Sequence, residues 1–444
     1  MRDLRYQLKT TVKLAIPVII GQLGHMMMGV VDSLMVGRLG VIPLASASLA
    51  NSIVFLILVV GIGFSYAITP YVAMAYGKKK FSECGVVLRQ GLLTGIAIAV
   101  VLTAITFGMT GVIPGLKQSA EVVNETVPYM KILGWSIIPV LIFQVYRQFS
   151  EGLFFMKPAM MIIIAANILN ALFNWIFIFG HWGFPAMGLR GAGYSTFGTR
   201  TAMAVALAAY IMSSRKFNPF SPGLRYKKID WQMMGKLVKL GMASAFQNFF
   251  EIGAFAGAAV LIGWFGPNEL AAHQIALNMA AITFMFGLGI SASASVRVGN
   301  AVGRKDFGYA RRAGVISVFL SAAVMGSFGI LFVVFRNQLP QLYVSDVSVV
   351  HIASSLLVIA AMFQISDGVQ VVSLGVLRGL ADTRFPTVVT FIAYWIIGLP
   401  CGYFLGFVMD YKAQGVWIGL FLGLTVSALL LTIRFFTLTR SKTR

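Results

Sequence analysis

Three carboxylates lie inside long apolar stretches of this sequence. Asp32 lies in GVVDSLMVG, Glu251 in FQNFFEIGAF and Asp367 in FQISDGVQVV. A carboxylate in the middle of a bilayer costs about 2.5–3.5 kcal/mol on insertion scales, so each is a candidate for binding an ion or a substrate. The alternative for each is a structural hydrogen bond or an ion pair. No Lys or Arg lies within two helical turns of Glu251 or Asp367, and this favours a functional role for both.

Two of these acids, Glu251 and Asp367, belong to the C-terminal half of the chain. If the fold brings them together, a shared cation relieves the repulsion between them. The sequence therefore predicts a cation-coupling site on these two residues, which would bind either Na⁺ or a proton.

A second polar group lies in the N-terminal half. Asn170 and Asn174 stand one helical turn apart in NILNALFNWIFIFG, so they share a helix face and offer amide oxygens. Together with Asp32 they would form a polar or cation site. Hydrogen bonding between helices is an equally good interpretation of the two asparagines.

The elements that hold these residues are membrane-spanning helices. Of the 444 residues, 58% are hydrophobic and 11% are charged, whereas a soluble domain has about a quarter charged. A spanning helix needs about 20 apolar residues, and long apolar runs also argue against a β-barrel. About twelve spans are predicted, near 14–36, 46–75, 91–113, 127–149, 159–180, 191–213, 237–263, 270–296, 313–335, 348–374, 387–408 and 416–435.

The net charge of +21 comes from 35 Lys and Arg against 14 Asp and Glu. The basic residues cluster between the apolar runs, so the positive-inside rule explains them better than nucleic-acid binding does. Most of them fall on the side of the membrane that carries both termini. We therefore expect a multi-pass protein of the inner membrane with both termini in the cytoplasm and no nucleic-acid partner.

The two halves of the chain repeat. The stretch 37–81 aligns with 263–307 without a gap, and glycines recur at matching positions. This repeat predicts an N-lobe at 1–213, a basic cytoplasmic linker at 214–236 and a C-lobe at 237–444. Internal repeats of this kind are typical of secondary transporters. The expected fold class is an all-α membrane protein with two pseudo-symmetric six-helix bundles.

Motifs of other protein classes are missing from the sequence. It has no P-loop, no HExxH and no GxSxG, and its four histidines are far apart. Its two cysteines form neither a disulfide framework nor a metal-binding spacing. We therefore expect no enzyme activity and no cofactor apart from a coupling ion.

The chain resembles the multidrug and toxic compound extrusion (MATE) family, in its NorM-type branch. The resemblance covers nearly the whole length, and it implies two six-helix bundles and export of organic cations against Na⁺ or H⁺ entry. The motifs that carry it are VDSLMVGRLG (31–40), ELAAHQIALN (269–278), SASVRVGNAVG (293–303), VLRGLADTRFP (376–386) and AYWIIGLPCGYFLG (393–406).

The resemblance also assigns residues. It places a cation site of the C-lobe on Glu251 and Asp367, and a polar site of the N-lobe on Asp32, Asn170 and Asn174. Where some members have a Tyr near the C-lobe cation, this chain has Phe at the candidate positions, Phe284 and Phe363, which keeps the ring face but loses the hydroxyl. An outer acid that would meet cationic drugs matches Asp346.

The expected function is therefore cation-coupled antiport of lipophilic cations, with substrate contacts at Asp32, Asp367 and Asp346. A lipid-linked precursor flippase of the same superfamily is an alternative, and an intramembrane enzyme or receptor is a more distant one. The expected partners are cationic small molecules and the lipid bilayer, and we expect a monomer. Arg200 lies deep in the sixth span, where it either extends outward to the membrane surface or faces a cavity.

Overall fold

A computed structural model describes residues 2–116, 118–223 and 229–441 of the chain. Residues 224–228 of the predicted linker and the last three residues of the predicted basic tail lie outside the described residues. The described part is almost entirely helical and contains no strand. Eleven of its helical segments are long and apolar enough to cross a membrane. The helix at Gly188–Ser213 is also long, but it carries two arginines and is less apolar. The predicted multi-pass all-α class is confirmed.

One compact unit comprises Ile20–Ala245. Its buried core lies between α5 and the helices that pack against it, α2, α4 and α7. The helices that contribute to this unit are α1 (Arg2–Gly37, in part), α2 (Val41–Ser65), α3 (Ile68–Gly77), α4 (Phe81–Thr110), α5 (Ala120–Gly152), α6 (Lys157–Phe179), α7 (Gly188–Ser213) and α8 (Trp231–Gly263, in part).

The other compact unit comprises Met1–Ile19 and Phe246–Arg444. Here α12 has the central position, and it packs against α9, α10 and α15. The further helices of this unit are α9 (Pro267–Gly303), α10 (Phe307–Val334), α11 (Gln338–Gln341), α12 (Val347–Gly379), α13 (Arg384–Phe391), α14 (Leu399–Tyr403) and α15 (Lys412–Ser441).

The first helix of each sequence half is divided between the two units. The division falls after Ile19 in α1 and after Ala245 in α8, which are matching positions of the sequence repeat. The start of α1 packs closely on α9: a Cβ added at Gly289 would overlap the Ile19 side chain and lie 3.0 Å from the Ala15 carbonyl oxygen. The lobe boundaries at 213 and 237 stay a prediction. In the structure, the start of α1 belongs to the unit of the C-terminal half, and the start of α8 belongs to the unit of the N-terminal half.

Close helix packing fixes α12, which carries Asp367. A Cβ added at Gly375 would lie 2.5 Å from the Ser291 carbonyl oxygen on α9, nearer than real Cβ atoms come. The Ser291 hydroxyl donates a 2.6 Å hydrogen bond to the Val371 carbonyl of α12. Glycine lets the two helix backbones approach, and the hydroxyl then ties them together.

The predicted span at 387–408 is confirmed, but it is an irregular helix. It begins as α13, continues as a π-helix over Ile392–Gly398, returns to α-helix at α14 and ends as a π-helix over Phe404–Val408. Such π segments are uncommon and often lie at functional sites. Here the first one carries Tyr394, which is fully buried.

Candidate functional sites in the two units

The two acids of the C-terminal half lie in one compact unit. Glu251 is on α8 and Asp367 is on α12, and both side chains are buried. Their carboxylates interact electrostatically with each other. The structure therefore brings together the two residues that the sequence predicted as a coupling pair.

Neutral side chains surround this pair. Two glutamines interact with Glu251: Gln247, one turn earlier on α8, and Gln370, one turn beyond Asp367 on α12. The Tyr394 hydroxyl donates to Gln370 Oε1 at 3.5 Å. Tyr394 also interacts electrostatically with both acids. The pair therefore lies in a buried polar network of two amides and one phenol.

One positive charge acts on the pair from a distance. Arg378, in the last turn of α12, interacts electrostatically with Glu251. The sequence did not reveal this interaction, because Arg378 is distant from Glu251 in the chain. Only the fold brings α8 close to that end of α12. The described interactions of this network thus include two carboxyl groups and one arginine, so acidic groups outnumber basic ones.

The two phenylalanines predicted for this site lie on neighbouring helices. Phe363 is buried one turn before Asp367 on α12, and its ring packs on Phe255 at 6.0 Å and Trp417 at 5.8 Å between centroids. Phe284 on α9 is half-buried and packs against the apolar cluster that includes Val371. A direct contact of either ring with a bound cation stays a prediction.

The N-terminal polar residues also come together. Asn174 Nδ2 donates a 2.6 Å hydrogen bond to Asp32 Oδ1, and it lies 3.4 Å from Asn170 Oδ1. The Ser195 hydroxyl on α7 donates to the Asn170 carbonyl at 3.1 Å. Thr196, whose hydroxyl donates to the Ala192 carbonyl at 3.0 Å, also interacts with Asp32. The predicted group on α1 and α6 is therefore a real cluster, completed by α7.

This cluster keeps an unused acceptor. Asn174 Oδ1 is buried and has no hydrogen-bond donor among the described residues. An amide oxygen without a donor, beside a carboxyl group, is suited to bind a metal cation or a cationic group. Either ligand would satisfy the free acceptor and attract the carboxylate. Groups of three or more His, Cys, Asp or Glu that could hold a metal ion are not found in the described part.

Comparison with known proteins decides the family. The MatE family profile matches residues 17–176 and 243–404, which is most of the chain and covers both repeats. The chain belongs to the MATE family. It is therefore a multi-pass membrane transporter and not an enzyme, and its likeness to the NorM type is confirmed.

Two curated relatives show the extent of this similarity. The chain is 34% identical over 438 residues to a protein of Mesorhizobium japonicum named probable multidrug resistance protein NorM, and the alignment covers 97% of this chain and 94% of that protein. It is 33% identical to the multidrug resistance protein NorM of Vibrio parahaemolyticus, with 98% and 96% covered. Among solved structures, the eukaryotic MATE transporter AtDTX14 superposes with a TM-score of 0.89 at 21% identity, covering 99% and 98% of the two chains. The predicted MATE fold is thus confirmed.

One predicted substrate residue lies away from the acid pair of this MATE chain. Asp346 is the N-cap of α12, and its Oδ1 accepts hydrogen bonds from the Ser348 and Val349 amides at 2.8 and 3.2 Å. Asp367 lies about 30 Å farther along the same helix at 1.5 Å per residue. Asp346 therefore lies far from Asp367 and caps α12, and its contact with cationic drugs stays a prediction.

Sequence reasoning missed most of the neutral members of both clusters. Gln247 and Gln370 could have been found, since each stands one helical turn from an acid that the sequence had already singled out. Ser195, Thr196 and Tyr394 gave no such signal. They lie on α7 and on the π-helical segment, which carry no intramembrane acid, and only the packing of the helices brings them to the sites.

Proposed function

We propose that this MATE protein is a cation-coupled antiporter that exports lipophilic organic cations and drugs by alternating access. The observation that carries the proposal is the buried pair of Glu251 and Asp367, two interacting carboxyl groups in a polar network whose described acidic groups outnumber its basic ones. Two such groups attract a cation strongly at low dielectric. The relatives named multidrug resistance proteins support drugs as substrates.

The coupling ion is Na⁺ or H⁺, and it acts as cargo and not as a resident cofactor. In the outward-open state the ion neutralises the acid pair and the drug cation leaves. In the inward-open state the ion is released and the pair accepts the next drug. The membrane potential contributes about 2.3 kcal/mol per charge per 100 mV to an inward-moving cation. Contacts of the substrate with Asp32 and Asp367 belong to this proposal.

The protein would act as a monomer in the inner membrane, with both termini in the cytoplasm. The basic residues at the helix ends support this orientation, since they gather on the side of the termini. A lipid-linked precursor flippase is the second candidate. It would need a net positive site for a phosphate, whereas the Glu251–Asp367 network has two acidic groups and one arginine among its described interactions.

Transport in proteoliposomes tests the proposal. Purified protein is reconstituted in vesicles, ethidium movement is followed by fluorescence, and a Na⁺ gradient and a pH gradient are applied separately. The proposal expects ethidium movement opposite to one of these gradients and none without a gradient. Equal movement of a matched anionic dye, or movement that ignores both gradients, would contradict it.

A further inference from the structure

Arg200 is a charged residue in the interior of a membrane-spanning helix, and the MATE transport scheme above leaves it unused. It lies near the middle of α7 and is half-buried. Charged residues at this depth are costly and rare, and they normally face a bundle interior with a partner. The positive charge of the guanidinium therefore requires a compensating group within this unit.

A neutral hydroxyl anchors one side of Arg200. Its Nη1 donates a 2.6 Å hydrogen bond to Ser136 Oγ on α5. Ser136 Oγ itself donates to the Leu133 carbonyl at 2.6 Å, so the hydroxyl lone pairs are directed at the guanidinium. This anchor orients Arg200 but supplies no negative charge.

The negative charge comes from Asp32. The guanidinium interacts electrostatically with the Tyr129 phenol and with Asp32, and Asp32 is the carboxyl group of the two. The direct hydrogen bonds that the structure describes for Asp32 come from neutral groups, among them Asn174 at 2.6 Å. Arg200 is the positively charged group among the described interactions of this carboxylate.

The matching positions in the other unit carry different charges. Glu251 and Asp367 align in the sequence repeat with His25 and Gln144. The C-terminal network thus holds two carboxylates against one arginine, Arg378. The N-terminal cluster holds one carboxylate against one arginine, so its charges balance.

We propose that Arg200 is a resident counter-cation of Asp32 and determines how strongly the N-terminal site holds a soluble cation. A mobile cation at Asp32 must approach a carboxylate that Arg200 already compensates, so it binds weakly and leaves readily. This inference deepens the proposed function and rests on it for the substrate class. Two potential cation ligands are already in place, the Asp32 carboxyl group and Asn174 Oδ1, which has no donor within the described part of the chain. Arg200 lowers the affinity of these groups for a soluble cation.

A ligand-free double-mutant cycle tests the pairing. Arg200→Gln and Asp32→Asn each leave an uncompensated charge in the bundle, so each lowers Tm by several degrees. The double variant removes both charges and melts higher than either single variant. Arg200→Lys keeps the charge and melts near the wild type. A double variant whose Tm falls by the sum of the two single shifts would overturn the pairing.

Binding of tetraphenylphosphonium tests the consequence. Titrations of the purified protein use a choline buffer without Na⁺. With the compensating charge removed, Arg200→Gln binds the probe about tenfold tighter than the wild type, from Coulomb attraction over several ångströms at an effective dielectric near 20. The gain disappears when Asp32→Asn is added, and Arg200→Lys shows no gain. When the wild type binds the probe, unchanged affinity in Arg200→Gln, or a gain that survives Asp32→Asn, would overturn the inference.

The two proposals fail separately. If the wild type and all variants ignore tetraphenylphosphonium while the Tm cycle shows coupling, the counter-cation stands and the proposed substrate class fails. If the wild type binds the probe and transports ethidium but the cycle is additive, the transport proposal stands and the role of Arg200 fails.

Discussion

Asn174 donates a 2.6 Å hydrogen bond to Asp32, although 142 residues separate the two in sequence. The bond ties α6 to α1 inside one compact unit, and it fixes the orientation of a carboxylate in a membrane span. Because hydrogen bonds to charged groups contribute about 1.5–3 kcal/mol, this contact is strong enough to determine where Asp32 points.

Replacing Asn174 by Leu removes the donor and leaves Asp32 without its strongest direct hydrogen bond. We expect ethidium efflux to fall about tenfold or more, since a loss of about 1.5–3 kcal/mol corresponds to that factor. Asn167→Leu is the matched control on the same helix, because the Asn167 amide bonds to the Ile163 carbonyl of α6 itself. Efflux and surface abundance are measured together. Equal loss in both variants would mean that the Asn174–Asp32 contact has no specific role.

Neutralising the acid pair should abolish coupling. Asp367→Asn and Glu251→Gln imitate a permanently occupied site, so gradient-driven efflux should fall to background while the protein still reaches the membrane. Asp410→Asn is a suitable control, because Asp410 is exposed and Asn tolerates its left-handed backbone at φ 57°. Asp382 is a poor control, since it pairs with Arg434 at 2.9 Å. Wild-type efflux by both acid variants would remove the basis of the C-terminal coupling site.

The sequence alone predicted the helices, the repeat and the residues that could bind cations. Apolar runs of span length are an unambiguous signal, and an intramembrane acid stands out because it is costly. The pairing of Asp32 with Asn174 and of Glu251 with Asp367 agreed with that prediction.

What the sequence could not give are relationships that depend on helix packing. Arg378 interacts with Glu251 only because the fold brings α8 and α12 together. The division of α1 after Ile19 and of α8 after Ala245 is likewise not visible in the composition. Asp346 was assigned a drug contact by the family resemblance, and that contact stays a prediction. The structure adds that its carboxylate caps α12, which is a local geometry that composition does not report.

Topology is testable with single cysteines and an impermeant thiol reagent in whole cells. The native Cys84 and Cys401 are first replaced by Ser. New cysteines at Lys78, Gly223 and Met409 occupy exposed positions, and a Cβ at Gly223 meets no atom within 4 Å. Because the positive-inside rule places both termini in the cytoplasm, only the cysteine at 409 should react readily from outside. Strong outside labelling at 223 would contradict this topology.

The ion pair between Arg147 and Glu151 is a test of stability that is separate from transport. The two residues stand four apart on α5, and both side chains are buried, with 5% and 4% exposed and 2.7 Å between Nε and Oε1. Arg147 Nη1 also donates to Gln22 Oε1 at 3.3 Å. Breaking a buried pair from one side leaves an uncompensated charge, which costs about 3–5 kcal/mol.

Glu151→Gln should therefore lower Tm strongly, and adding Arg147→Met should restore much of the loss, because a pair of neutral residues leaves no buried charge. The exposed pair of Lys80 and Glu83 is the control, with side chains 62% and 40% exposed at 2.8 Å. Surface pairs contribute about 0–1 kcal/mol, so Glu83→Gln should hardly move Tm. Thermal melting of the four purified proteins checks this. If Glu151→Gln melted like Glu83→Gln, the Arg147 charge would have to be compensated by water, and the buried ion pair would not stabilise this unit.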